Sequence, residues 1–271
     1  MKLTTSLRMT SCLLKTIKNP IKCTVFKQLS NLRNASQSEF SPSKIDWPRE
    51  MSDELESSFE VINDFINEAE ESDLMKEVEP HLKRLVYEKD HWDEAIVGFR
   101  ETERKQWNQV NSVIIDKLRK AAFKPNDKYL PYVHVLDLAE DGHIKPHIDS
   151  PRVKLLFSSF ARNIDKKSFF FQFCGDTVAV LSLLSDSVMK LVHEESKKYQ
   201  TKYLIPRRSL YIMRYVHVHE RELLKTIILI FRGSSRYDFT HEILANEDSV
   251  INNQKVIKTR RISIVCRNEC V

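Results

Sequence analysis

From residue 132 to residue 267 the chain is a succession of short runs in which apolar and polar residues alternate: 132–138, 177–184, 189–193, 203–205, 209–213 and 261–267. Side chains two apart leave the same face of a strand, so each run can bury one face against a core. The text ahead of it reads differently. Ser72 stands as an N-cap before Leu74, Val78, Leu82 and Leu85 at helical period, with Pro80 as a site of kinking. Trp107, Val110, Val113, Ile114, Ile115 and Leu118 mark a second helix that closes before Lys124-Pro125. Residues 59–66 read as a short strand running into a turn, and 95–100 as another strand. Many short strands after a helical start predict an α+β domain, a double-stranded β-helix (jelly roll) with its N-terminal helices packed outside the sheets. Trp92 and Trp107 are expected in the core. Glycine is scarce, and Gly142, Gly175 and Gly233 are expected where turns are needed.

One stretch of the strand region carries chemistry. In His147-Ile148-Asp149 the imidazole and the carboxylate share a face if the backbone is extended, and both can reach one ion. Alone, such a tripeptide is usually a polar pair in a loop. Downstream, Arg236-Tyr237-Asp238-Phe239-Thr240-His241 offers a second imidazole. Two histidines and a carboxylate form the facial triad that binds Fe(II) and leaves positions open. Arg261 and Arg267, six apart on an alternating run, also share a face. An iron oxygenase that uses 2-oxoglutarate needs a fixed cation for the cosubstrate's distal carboxylate, and arginine's planar fork suits it.

These stretches, with Phe-Cys-Gly at 173–175, Leu-Ser-Leu-Leu-Ser at 181–185, Ser-Leu-Tyr-Ile at 209–212 and Arg-Arg-Ile-Ser-Ile-Val-Cys-Arg at 260–267, resemble the AlkB family of Fe(II)/2-oxoglutarate dioxygenases, in particular a mitochondrial member. The resemblance runs from about Phe59 to Arg267 and implies His147, Asp149 and His241 as iron ligands. It implies Tyr211, Arg261 and Arg267 as the residues that hold 2-oxoglutarate, Arg261 pairing with the distal carboxylate. The members that repair nucleic acid carry Asn and Tyr where this chain has Leu136 and Leu138, and a basic, aromatic nucleotide lid that residues 85–130 do not repeat.

Two segments exceed the family pattern: 22 residues lie between Ser150 and Phe173, and 19 between Met213 and Gly233. Residues 153–172 and about 215–232 back-translate with intron-like donor and acceptor ends, so they are expected to be retained introns. The apparent metal motif His217-Val218-His219-Glu220 would then be translated non-coding text.

Charge bounds the partners. Residues 1–38 hold seven basic residues and no acid, are rich in Ser and Thr, and read as a mitochondrial transit peptide followed by a linker at 39–50 and the dioxygenase domain at 51–271. They carry more than the whole formal charge of +5, leaving the remainder at −2 and the form without leader or extra segments at −5. Such a body has no general attraction for phosphate backbones, so duplex DNA is not expected as a partner and a folded RNA would need a local patch. No run reaches the roughly 18 apolar residues of a membrane span. Cys12, Cys23, Cys174, Cys266 and Cys270 show no paired spacing and are expected to be free thiols.

The expected activity is that of a mitochondrial-matrix dioxygenase using Fe(II), 2-oxoglutarate and O2, with a protein as substrate. The resemblance adds a link to fatty-acid metabolism and to regulated necrosis after alkylation damage. Demethylation of bases in mitochondrial RNA and a catalytically impaired jelly-roll interaction protein are the alternatives.

Overall fold

The computed structural model describes residues 47–90, 95–149, 152–155, 170–214 and 238–269. The expected leader, most of the linker, Trp92, Gly233, the bulk of the two extra segments and His217-Val218-His219-Glu220 lie outside the described residues. Three helices and thirteen strands are described. Helix α1 (Arg49–Ser58) leads directly into β1 (Phe59–Ile62), so helix begins inside the span read as linker. Helix α2 (Glu68–Leu82) starts earlier than the Ser72 cap predicts. Asn67 accepts from the Glu70 amide while the Glu70 carboxylate accepts from the Asn67 amide, a reciprocal cap that places Ser72 inside the first turns. Leu74, Val78 and Leu82 are buried as their spacing predicts, but Leu85 lies past the helix end and is exposed.

Strands β2 (Glu88–Asp90) and β3 (Ile96–Arg104) form a hairpin, followed by α3 (Gln109–Ala122). Asn108 caps α3, whose Ile114, Ile115 and Leu118 face the core; Val110 and Val113, expected to mark that face, point to solvent. Trp107 is half-buried against the same core. The remaining strands are β4 (Val133–His147), β5 (Arg152–Leu155), β6 (Phe170–Leu183), β7 (Ser187–His193), β8 (Gln200–Ile205), β9 (Leu210–Arg214), β10 (Phe239–Ile243), β11 (Val250–Ile251), β12 (Gln254–Lys255) and β13 (Arg261–Glu269). His147 is therefore the last residue of β4, and Asp149 lies just past the strand's end.

The order β1-β9-β6-β13-β4-β10-β7-β8 makes an antiparallel, nearly closed jelly roll, with β3 and β2 beyond β4 on one side. Strand β4 serves three neighbours: β3 pairs along residues 133–144, residues 134–138 also pair with β13, and Ile144 and His147 pair with β10. Period-two alternation then splits the apolar residues. Ala179, Leu181, Leu210, Ile212, Ile262 and Ile264 face α2 and α3 on the outside, whereas Leu136, Leu138, Val178, Val180, Tyr211 and Val265 face inward between the layers. The site residues lie on this inner face.

Two backbone features shape β4. A Cβ on Gly142 would meet the Gly98 carbonyl oxygen at 2.4 Å, and Gly98 itself has φ +65, so only glycine permits this crossing of β3 and β4. Gly175 serves no turn: it sits within β6, where a Cβ would meet the Glu269 carbonyl oxygen at 2.4 Å. On the outer face Asp137, fully buried, accepts hydrogen bonds from Tyr87, Arg100 and Arg260, and Arg260 also reaches Glu79 of α2. This network ties β3, β4 and β13 to the helix layer. Cys266 is free and buried, as expected; burial pushes its thiol up to about 11.

Candidate metal and cosubstrate site

Strand β10 carries His241 to within reach of His147 because the two are direct register partners across β10 and β4. Ile243 pairs with Ile144, so three residues on β10 (241–243) oppose four on β4 (144–147). That bulge, holding Lys145 and Pro146, flips the facing of β4: Ile144 points inward, and His147, three residues on, does too. In an unbroken strand Ile144 and His147 would face opposite sides. Proline, which lacks the N–H a ladder needs, is tolerated at this irregularity.

The three side chains converge. The ligand atoms of His147, Asp149 and His241 lie within 4.8 Å of one another. One oxygen, Asp149 Oδ1, stands 3.7 Å from His147 Nε2 and 3.7 Å from His241 Nε2. The His147 Nδ1 lies 2.9 Å from the Lys145 carbonyl oxygen, which can only accept, so Nδ1 carries the proton and Nε2 presents its lone pair. All three are partly or largely buried. Two imidazole nitrogens and a carboxylate in this arrangement fit a divalent transition metal such as Fe(II).

Next to the triad on the inner face are the residues expected to hold 2-oxoglutarate. Arg261 is fully buried and donates from Nε to Ser182 Oγ at 3.0 Å, while Nη1 and Nη2 are buried and make no hydrogen bond of acceptable geometry. A charged fork left unmet in a protein interior is costly, and a carboxylate is the group that matches it. Burial raises the pKa of Tyr211, the charge and hydrogen-bonding reach of Arg261 oppose that rise, and Asp149 adds to it. Tyr211 thus lies within electrostatic reach of both the fork and the triad. Arg267, half-buried on the same face of β13, also bears on Tyr211. Leu136 and Leu138 are buried beside them, register partners of Ser263 and Arg261, so this wall is apolar.

The structure thus brings together all six site residues singled out in the sequence. It adds Lys258, which the sequence reading passed over: fully buried, it donates to the Ala139 and Glu140 carbonyls at 2.9 and 2.7 Å. Burial, and secondarily the charge of Arg261, lower its pKa to about 8. No local pattern marks such a lysine, because its acceptors lie more than a hundred residues away.

No family model matches the chain. Two curated proteins are similar to it, each called Alpha-ketoglutarate-dependent dioxygenase alkB homolog 7, mitochondrial. The mouse protein (Mus musculus) is 43% identical over 204 residues, covering 75% of this chain and 75% of the relative. The cattle protein (Bos taurus) is 41% identical over 204 residues with the same coverage. Among solved structures, a prolyl hydroxylase from Trichoplax adhaerens in complex with a hypoxia inducible factor peptide matches at TM-score 0.49 and 12% identity, over 93% of this chain and 94% of that one. That likeness is too slight to carry weight.

Proposed function

Since this chain belongs to the alkB homolog 7 family of mitochondrial alpha-ketoglutarate-dependent dioxygenases, enzymes of Fe(II), 2-oxoglutarate (the same compound as alpha-ketoglutarate) and O2, we propose that it hydroxylates a protein side chain in the mitochondrial matrix. In this reading His147, Asp149 and His241 hold the iron, and Tyr211, Arg261 and Arg267 hold 2-oxoglutarate. When bound, the metal and cosubstrate would turn O2 into an oxidant for a C–H bond, one oxygen atom entering succinate as 2-oxoglutarate loses carbon dioxide and the other entering the hydroxylated product. The chain's own residues orient the reactants: Lys145 fixes the His147 tautomer, and the Arg261 fork sets where the distal carboxylate rests. The single observation that carries the site assignment is the convergence of Asp149 Oδ1 on both imidazoles at 3.7 Å, on the same inner face as an unmet arginine fork.

Substrate class rests on charge and on the apolar wall. Without residues 1–38 the body stands at −2, which favours a protein over a duplex. A link to fatty-acid metabolism and to regulated necrosis after alkylation damage is part of the same proposal. Succinate release from 2-oxoglutarate under iron and oxygen, measured with candidate peptides, methylated RNA and duplex DNA, tests it. Peptide-stimulated turnover is expected. Stimulation by methylated RNA alone would transfer the assignment to a demethylase, and no turnover with any iron supply would reduce the chain to an interaction protein.

The same reading takes residues 153–172 and about 215–232 as retained introns. For the first, register supports it: Arg152 pairs directly with Phe173 across β5 and β6, so the two residues that excision would join are already neighbours. Cα atoms of directly opposed residues lie about 4.5–5.5 Å apart, against about 3.8 Å for bonded neighbours. Sequencing the mature transcript across both joins decides the matter; a message retaining both segments refutes it.

A further inference from the structure

We propose that Ser182 is the positioning residue for the Arg261 fork, and so sets cosubstrate affinity without touching the cosubstrate's metal-binding end. The inference rests on the reading that Arg261 takes the distal carboxylate of 2-oxoglutarate.

A guanidinium on a long stem has several rotamers, and two nitrogens facing a ligand do not by themselves choose one. Ser182 Oγ accepts from Arg261 Nε at 3.0 Å, which fixes the plane of the group and leaves Nη1 and Nη2 for another acceptor. Both residues are fully buried. Ser182 is itself held firmly. Its amide donates to the Ser209 carbonyl at 2.9 Å, and its carbonyl accepts from the Arg208 amide at 2.7 Å. Arg208 is in the left-handed region at φ 65, which turns the chain between β8 and β9 onto Ser182. Two residues beyond Ser182, the Leu184 amide donates to the buried Glu71 carboxylate at 2.7 Å, and Arg207 donates to the same carboxylate at 2.8 Å. A carboxylate of α2 therefore anchors both turns that flank the serine.

Tyr211 also bears on the fork, but the partner of Nε is Ser182. Leu136 and Leu138, the register partners of Ser263 and Arg261, present only hydrocarbon. Lys258, the buried cation whose charge reaches Arg261, has its Nζ committed to the Ala139 and Glu140 carbonyls. Tyr211 and Arg267 share in holding the cosubstrate, but the plane of the Arg261 fork rests on the Ser182 hydroxyl.

The test uses the full chain loaded with Mn(II) in place of iron, so that binding is read without turnover. Calorimetric titration with 2-oxoglutarate is compared with titration of oxalate, which has only the metal-binding end. Ser182→Ala is expected to weaken 2-oxoglutarate about tenfold, the loss of aim for a charge-assisted pair, and to leave oxalate unchanged. Ser182→Thr, which keeps the hydroxyl, restores most of the affinity. Under iron and oxygen, Ser182→Ala raises the KM for 2-oxoglutarate and leaves kcat at saturation within about twofold, since only binding of the remote end is lost. Equal weakening of both ligands, or unchanged 2-oxoglutarate binding in Ser182→Ala, overturns the proposal. If Ser182→Ala does not fold, the Ser182→Thr titration decides: a tenfold loss there, with the hydroxyl present, overturns it. Arg261→Met separates the two levels. If it leaves 2-oxoglutarate affinity intact, the cosubstrate assignment itself fails; if it abolishes binding while Ser182→Ala does nothing, only the role of the serine fails.

Discussion

Replacing Arg261 with methionine should make the protein more stable while removing its response to 2-oxoglutarate. Arg261 is 0% exposed, and two of its three guanidinium nitrogens are buried without a hydrogen bond of acceptable geometry. Each unmet buried donor costs about 1–3 kcal/mol, so relief of two contributes roughly 2–6 kcal/mol. Methionine keeps an unbranched stem of comparable reach and adds no polar atom. Against the gain stands the lost Nε bond to Ser182, worth about 1–2 kcal/mol. The net expectation is a stabilisation of about 0–5 kcal/mol, centred at about 2.5, in the absence of cosubstrate. The wild-type protein should gain about 2.7 kcal/mol when 2-oxoglutarate stands at a hundred times its Kd; the variant should gain nothing. Urea unfolding of both proteins, with Mn(II) present and with or without 2-oxoglutarate, reads all four quantities. A variant destabilised by more than about 1 kcal/mol would mean the fork is satisfied within the protein. A retained ligand-dependent shift would remove Arg261 from the cosubstrate site.

Asp149→Ala should abolish binding of one equivalent of Mn(II) and all succinate release, with circular dichroism unchanged, because the three ligands form no part of either apolar cluster; metal binding at wild-type affinity would exclude it as a ligand. Gly142→Ala should cost about 1–3 kcal/mol in urea unfolding, since its Cβ would meet backbone oxygen at 2.4 Å, and a neutral result would show that the crossing of β3 and β4 yields. The hydrogen bond and charge of Arg260 hold the Glu79 carboxyl below its ordinary value of 4.5. Its folded-state pKa is therefore depressed, and its contribution is fully present above about 4.5 and lost as pH falls through the lower folded value. Glu79→Gln should accordingly be less stable than wild type at pH 7, with the gap closing as pH drops below about 4.5; a gap that persists to lower pH would refute the assignment.

Local period carried a large share of what the chain becomes. Alternation alone put Arg261 and Arg267 on one face of β13, and the observed strand separates them from Ile262, Ile264 and Cys266, which pack toward the helices. Helical period likewise marked Leu74, Val78 and Leu82 as one buried stripe, whereas Asp149 lies past the end of β4 and meets His147 from outside the strand. The Asn67-Glu70 cap was also written in the sequence, five residues ahead of Ser72; the two candidate caps compete, and the reciprocal bond wins.

Three things belonged to the tertiary structure. Which face His147 takes depends on a one-residue bulge against β10, and alternation cannot see a bulge because the extra residue exists only relative to a partner strand. The buried Asp137 looks from its own run like a polar residue due for solvent; Tyr87, Arg100 and Arg260, which make its burial tolerable, come from 50, 37 and 123 residues away. The aim of the Arg261 fork is set by a serine 79 residues distant, itself held by turns from two other strands and a helix. Side-chain period is a property of neighbours along the chain, whereas bulges, buried ion pairs and ligand geometry are properties of pairs that meet only after the sheets close.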